Sequence, residues 1–275
     1  MGLHSVTRDN PVPTPPFWGV KTIEHTPVKS LLPYINRTAL YKLQWGYKTR
    51  GYTEQEYRNF IRHEVDPILS RLADQADREG ILNPQAAYGY FPCQAEGDDL
   101  VIYSDPGGSA ERCRFTFPRQ SNERRRCISD FFRSEDSGEM DVVAFQVATV
   151  GQNASDFARK LFASDDYKEY LYWHGLNAES AEGLAEYIHK RIRVELGFGR
   201  EEARTIPELI KQNYRGSRYS FGFPACPNLH DQDKILHLLD TQRIGVSLGD
   251  EDQLWPEEST SAIVVHHPAA KYFGV

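Results

Sequence analysis

A chain of 275 residues, 40% hydrophobic and 12% aromatic, carries ample material for a packed interior, which excludes a disordered protein. Its 39 acidic and 32 basic residues leave a formal charge of -7 and no general electrostatic attraction to nucleic acid or anionic lipid. No stretch approaches the roughly 18 apolar residues of a membrane span, nothing near Met1 resembles a secretory leader, and Cys93, Cys113, Cys127 and Cys226 are too scattered for a zinc site or a disulfide framework. These features predict a cytoplasmic protein with reduced thiols, no nucleic-acid partner and no membrane partner.

Residues 1–16 are polar and proline-rich, ending in PVPTPP, and read as a linker or tail ahead of a single domain at 17–275. From Glu54 to Gly80 the apolar residues Tyr57, Phe60, Ile61, Val65, Ile68, Leu69, Leu72 and Ala76 follow helical spacing, with Gly80 placed as a C-cap. Pro67 lacks an amide donor and clashes with the preceding turn, so a kink, or a junction of two helices, is predicted near Asp66. Strands are predicted at 88–93, 99–103, 113–117, 127–132 and 142–150, with Asp105-Pro106-Gly107-Gly108 as the clearest turn between them.

Helical spacing then returns. Phe157, Ala158, Leu161 and Phe162 share one face, and Ala181, Leu184, Ala185, Ile188 and Ile192 another. Opposite the second face stand Glu182, Glu186, Lys190, Arg191 and Arg193, so this helix should lie on the sheet with one flank in solvent or lining a groove. Thr205-Ile206-Pro207-Glu208 has the form of a capping box opening a short helix to about Tyr214. A further helix over 232–243 ends at Gly245, and 261–268 closes the chain as a strand. Strands gathered in mid-chain with helices on either side predict an α+β fold in one domain.

The generic catalytic signatures are absent: there is no G-x-S-x-G elbow, no P-loop and no H-E-x-x-H. Gly197-Phe198-Gly199 closes a helix and reads as a C-cap and turn. Adjacent His266 and His267 on a strand would point to opposite faces and cannot share a metal, and His189 reads as a packed or solvated histidine. Arg124-Arg125-Arg126 is a short basic run of the kind usually found in a solvated loop. The most unusual stretch is Arg215–Pro227, RGSRYSFGFPACP. There Gly222 permits close backbone approach, Phe221 and Phe223 offer flat surfaces, and Arg218 can pair with a carboxylate. On the residues alone it is either a ligand loop or a tight structural connection.

The same stretch resembles the C-terminal activation domain of cobalamin-dependent methionine synthase. The resemblance is carried by PVPTPPFWG at 11–19, YGYFPC at 88–93, LAEYIHKRIRVELGFG at 184–199, RGSRYSFGFPACP at 215–227 and HHPAAKYFGV at the C-terminus, in the family's order and at comparable spacing. It implies a curved α+β domain built on a twisted antiparallel sheet flanked by helices, with S-adenosylmethionine in a shallow groove. In that family the module supplies the methyl group that restores cobalamin oxidised to cob(II)alamin. The cobalamin is carried by a partner cobalamin-binding domain, and the electron comes from flavodoxin or a flavoprotein reductase.

Carried over residue by residue, the resemblance places Arg218 at the ligand carboxylate, with Gly222, Phe223 and Pro224 as its loop, Glu182 facing the ligand's cationic end, and Tyr272 and Phe273 packing the adenosine. Three positions depart from the family pattern. Asn36 stands where an aspartate is expected, Glu179 where an arginine is expected, and Phe223 replaces a tyrosine. Asn36 and Glu179 motivate an alternative, a non-catalytic docking module for a cobalamin domain or flavodoxin with weakened S-adenosylmethionine binding. A free-standing methyltransferase ranks below both, since no general base stands beside the groove. The chain also lacks the D-x-H-x-x-G signature of a cobalamin-ligating domain, so complete methionine synthase activity cannot reside in these residues alone.

Overall fold

Alternation of side chains along the mid-chain strands sets the architecture. In the computed structural model, which describes residues 6–274, the elements run β1 (Gly19–Ile23), α1 (Val28–Leu31), α2 (Glu54–Phe60), α3 (Asp66–Glu79), β2 (Gln85–Glu96), β3 (Asp99–Tyr103), β4 (Glu111–Thr116) and β5 (Asp141–Thr149). They continue with α4 (Gln152–Ala163), α5 (Tyr167–Glu195), α6 (Ile206–Ile210), β6 (Ser217–Ser220), α7 (Asp231–Leu239), β7 (Ser247–Leu248), β8 (Leu254–Trp255) and β9 (Ser259–Val265). Seven strands form one sheet in the order β4, β3, β2, β5, β9, β6, with β1 pairing beside the first half of β2; every pairing is antiparallel. β7 and β8 make a separate two-stranded ribbon.

Residues of alternating parity divide the interior. Ala87, Phe91, Val143, Phe145, Tyr219 and Ile263 belong to one face of the sheet, packed with Ile235 and Leu239 of α7. Tyr88, Tyr90, Val142, Ala144 and Val264 belong to the other, packed with Leu184, Ile188 and Ile192 of α5. All five apolar positions predicted for that helix face are buried. Leu184, Ile188 and Ile192 together contribute about 5–9 kcal/mol of gross hydrophobic stabilisation, at roughly 1.5–3 kcal/mol for each large aliphatic side chain. The hydroxyls of Tyr88 and Tyr90 donate to Glu195 near the end of α5, at 3.0 and 2.9 Å, which fixes the helix against β2.

A second core is helical, made by Leu40, Trp45, Leu69, Leu72, Trp173 and Leu176. Gly175 of α5 is required here by close approach, because a Cβ on it would lie 2.8 Å from Gln44 Cβ and 2.9 Å from Trp45 Nε1. The predicted break near Asp66 is a five-residue π-helical segment, Ile61–Val65, after which α3 starts with Pro67 in its first turn and ends at left-handed Gly80. A second π-helical segment, Ala39–Gln44, precedes it.

Other expectations are corrected. The predicted strand at 127–132 is a 3-10 turn, Ile128–Phe131, because the Cys127 amide donates to Asp130 Oδ2 at 2.9 Å and curls the chain. Its consecutive Ile128 and Ser129 are both buried, so the run has no strand alternation. Phe162 leaves the core face of α4 and is 58% exposed. The predicted helix over 232–243 is α7 followed by a 3-10 turn, Thr241–Ile244, and α6 stops at Ile210, short of Tyr214. β9 ends at Val265, so His266 and His267 lie beyond it; His266 Nε2 is 2.8 Å from Asp141 Oδ1 and His267 Nε2 is 2.8 Å from the Thr7 carbonyl.

Of the proline-rich segment, residues 1–5 lie outside the described residues. Farther along, Arg8 Nε donates to the Asp130 carbonyl at 3.2 Å, and the Asn10 carbonyl accepts from Arg133 at 2.8 Å. No helix among the described residues is long and apolar enough to cross a membrane.

Candidate functional site

Strand alternation on β6 turns Tyr219 into the α7-side core and Arg218 toward α5. There Arg218 meets Glu182 and Glu186, which are four residues apart and share a helix face. Together with Tyr34, Asn36, Glu179, Leu209 and Gln212 they line a cleft of about 230 Å³. That is slightly below the ~300–1,000 Å³ of most small-molecule pockets, as expected of a shallow groove. A larger cleft of about 630 Å³, between Leu229 and Trp255, has none of this cation and carboxylate pairing.

The guanidinium of Arg218 is divided between two carboxylates. Nη2 donates to Glu182 Oε2 at 3.1 Å and Nη1 donates to Glu186 Oε2. Glu186 is also shared with Arg193, whose Nη2 lies 3.4 Å from Glu186 Oε1 and 2.8 Å from Glu202 Oε1. Arg193 was expected on the helix flank that faces solvent or lines a groove; it is 3% exposed beside the cleft and stacks 3.7 Å over the Tyr214 ring, paired on both sides. Glu179 lies in the same cleft without an ion-pair partner among the described residues. Burial, and then the charge of Glu182, push its carboxyl up to about 7, while the Asn36 backbone amide opposes the rise. At neutral pH the cleft is therefore poised between one and two uncompensated negative charges.

His189, one turn beyond Glu186 on α5, is fully buried edge-on to Tyr214 at 5.2 Å. Burial, followed by the nearby charges of Arg193, Arg218 and Lys271, pushes its imidazole far below the usual histidine range. It is packed and neutral.

The structure brings Arg218, Glu182 and Asn36 of the predicted site into one cleft. Asn36 also has a structural task, since its Oδ1 accepts from the Ala39 amide at 3.2 Å at the head of the first π-helical segment. Gly222 and Phe223 lie in the turn after β6. The Gly222 amide donates to the Cys226 carbonyl at 3.0 Å and the Cys226 amide to the Phe223 carbonyl at 2.9 Å. Gly222 has φ +85°, and a Cβ there would stand 2.8 Å from Leu229, so the turn itself requires glycine. Phe223 is exposed.

The C-terminal aromatics pack on the Tyr219 side of β6. Tyr272 stacks on Tyr219 at 6.2 Å and is 46% exposed, whereas Phe273 is buried between Tyr219 and Phe131. Lys271 ties this tail to the cleft wall by donating to the carbonyls of Gln212 and Tyr214 at 2.9 and 2.6 Å. Sequence reasoning did not place Tyr34, Gln212 or Glu186 in the site. Glu186 had a signal, since it follows Glu182 at helical spacing; Tyr34 and Gln212 reach the cleft only through tertiary packing.

The family model described as vitamin B12 dependent methionine synthase, activation domain, matches residues 27–275. The chain belongs to this activation-domain family. Among curated members, the methionine synthase of Mycobacterium tuberculosis (strain ATCC 25618 / H37Rv) is 44% identical over 98% of this chain, and that of Mycobacterium leprae (strain TN) 42% identical over 97%. This activation-domain chain spans 24% and 23% of the length of those two relatives. The crystal structure of the MetH reactivation domain bound to AdoHcy superposes with a TM-score of 0.86 at 27% identity, covering 97% of this chain and 84% of that one. The α+β fold with an antiparallel sheet is thus the fold of that reactivation domain.

Proposed function

We propose that this chain is the reactivation module of a cobalamin-dependent methionine synthase and that it binds S-adenosylmethionine as the methyl donor for reductive methylation of cob(II)alamin. The observation that carries the reading is the charge order in the cleft, a half-buried guanidinium at Arg218 flanked by the carboxylates of Glu182, Glu186 and Glu179. A ligand with a carboxylate at one end and ammonium and sulfonium charges nearby complements that order. Its carboxylate takes the place of one glutamate on Arg218, and the released glutamate faces the ligand's cations. A charged hydrogen bond of this kind contributes about 1.5–3 kcal/mol. The resemblance assigns the adenosine to Tyr272, which stands exposed outside the cleft lining on the Tyr219 side of β6, so the ligand would have to reach past this edge strand to it, with Phe273 holding the tail that carries it and the Gly222–Phe223 turn following β6.

In the proposed transfer cobalamin, presented by a cobalamin-binding domain, would be the methyl acceptor, and flavodoxin or a flavoprotein reductase would supply the electron. This chain's part is to hold the donor and exclude water from one side of it. The AdoHcy bound by the similar reactivation domain is the product such a transfer would leave, which supports ligand binding over a docking role alone. The test combines this chain, a cobalamin-binding fragment, a one-electron reductant and methyl-labelled S-adenosylmethionine. Label should reach the cobalamin only when this chain is present; transfer at the same rate without it contradicts the proposal.

A further inference from the structure

The two π-helical segments converge on a cleft that the methyl-donor reading does not use. It has a volume of about 280 Å³ and lies between residues 37–42 and 57–66. Ala39–Gln44 gives it Tyr41 and Lys42, and Ile61–Val65 gives it Ile61 and Arg62. π-helical residues make up well under about 1% of proteins and gather at functional sites, because the extra residue per turn re-aims side chains. Two such segments on one cleft form an unusual arrangement.

The cleft is also basic on a chain of net charge -7. Arg37, Lys42, Arg58 and Arg62 line it, against the single carboxylate of Asp66. That carboxylate is already engaged, since its Oδ1 accepts from Tyr41 at 2.6 Å and from Arg37 at 3.1 Å. The other three cations are poorly neutralised. Lys42 has the Tyr57 ring at 5.3 Å, Arg58 has an exposed Glu54 at 3.6 Å, and Arg62 has no carboxylate within ion-pair distance among the described residues. Between them lies an apolar floor of Tyr57, Ile61 and the Tyr41 ring.

We infer that this cleft binds an organic phosphate, with the phosphate among Lys42, Arg58 and Arg62 and a planar or apolar body on the Tyr57–Ile61 floor. Three cations lining one cleft suit a multiply charged anion better than a single carboxylate, and the arginines can each donate in bidentate fashion. The site is separate from the methyl-donor cleft: Arg37 and Thr38 face one, while Asn36 and Ala39 face the other. The inference stands whether or not S-adenosylmethionine binds.

Amide chemical shifts of the isotopically labelled chain, titrated with ADP, with inorganic pyrophosphate and with sodium chloride at matched ionic strength, test it. ADP should give saturable shifts confined to residues 37–42 and 57–62, tighter than pyrophosphate, and weakened about tenfold or more in the double variant Lys42→Glu, Arg62→Glu. The variant Lys42→Arg, Arg62→Lys should retain binding, and melting curves of both variants separate lost binding from lost folding. Shifts that follow ionic strength without saturating, or saturable binding that survives the charge reversal, would overturn the site. Pyrophosphate binding as tightly as ADP would overturn the organic-phosphate assignment.

Discussion

Arg218 on β6 and Glu186 on α5, 32 residues apart in sequence, form an ion pair that Arg193 shares from the opposite side of the carboxylate. Edge strand and long helix are thereby locked together at the point where the cleft opens. Any ligand that takes Arg218 must rearrange this pair, so the strength of the lock and the affinity of the site are linked.

The first consequence concerns stability. Removing one partner of a buried ion pair leaves the other charge uncompensated, at a cost of about 3–5 kcal/mol. Arg193→Met leaves Glu202 and half of Glu186 without their cation, and urea unfolding should show a loss in that range. A loss under about 1 kcal/mol would mean that the network is solvated and contributes little.

Glu179 makes binding depend on pH. With its carboxyl pushed up to about 7, it is neutral in mildly acidic solution and charged above, so affinity for a cationic ligand should rise several-fold from about pH 6 to about pH 8. Glu179→Gln should flatten that profile. The stability effect has the opposite sign. A carboxyl raised above its ordinary 4.5 binds its proton more tightly in the folded state, so stability is lost as pH rises from about 4.5 toward 7. The glutamine variant should therefore be more stable by about 1–3 kcal/mol at about pH 8 in urea titrations.

How much of this was legible in the sequence differs from element to element. The apolar face of α5, the break before Pro67 and the left-handed end at Gly80 follow from spacing and from two residues with restricted or permissive backbones. The run at 127–132 was not legible as a turn, because a short apolar stretch is compatible with a buried strand until Asp130 is seen to cap its own backbone. The π-helical segments escaped for a similar reason, since apolar spacing hardly separates one helical pitch from another over five or six residues. In the site, Arg218, Glu182 and Asn36 were reached through family resemblance. The pairing of Arg218 with Glu186 was not, since nothing local in the chain records which edge strand meets which helix face.

Asn36 offers a graded test of the cleft's charge. Asp caps a helix about as well as Asn, so Asn36→Asp should leave the melting temperature nearly unchanged while tightening a cationic ligand about threefold to tenfold. Asn36→Ala should instead lose about 1 kcal/mol of stability with the cap. Equal affinity in the wild type and the aspartate variant would place the ligand's cationic end away from Asn36.

Gly222 separates the turn from the ligand. With φ +85° and Leu229 against the missing Cβ, Gly222→Ala should destabilise the chain by about 1–2 kcal/mol in urea unfolding. An unchanged midpoint would show that the turn relaxes without cost.

Calorimetric titration of S-adenosylmethionine into the wild type and Arg218→Ala tests the central claim most directly. The wild type should give saturable binding, weakened about tenfold to a hundredfold when the guanidinium is removed, in proportion to a charged hydrogen bond of about 1.5–3 kcal/mol. No saturable heat from the folded wild type at millimolar ligand, or equal affinity in the two proteins, would contradict it.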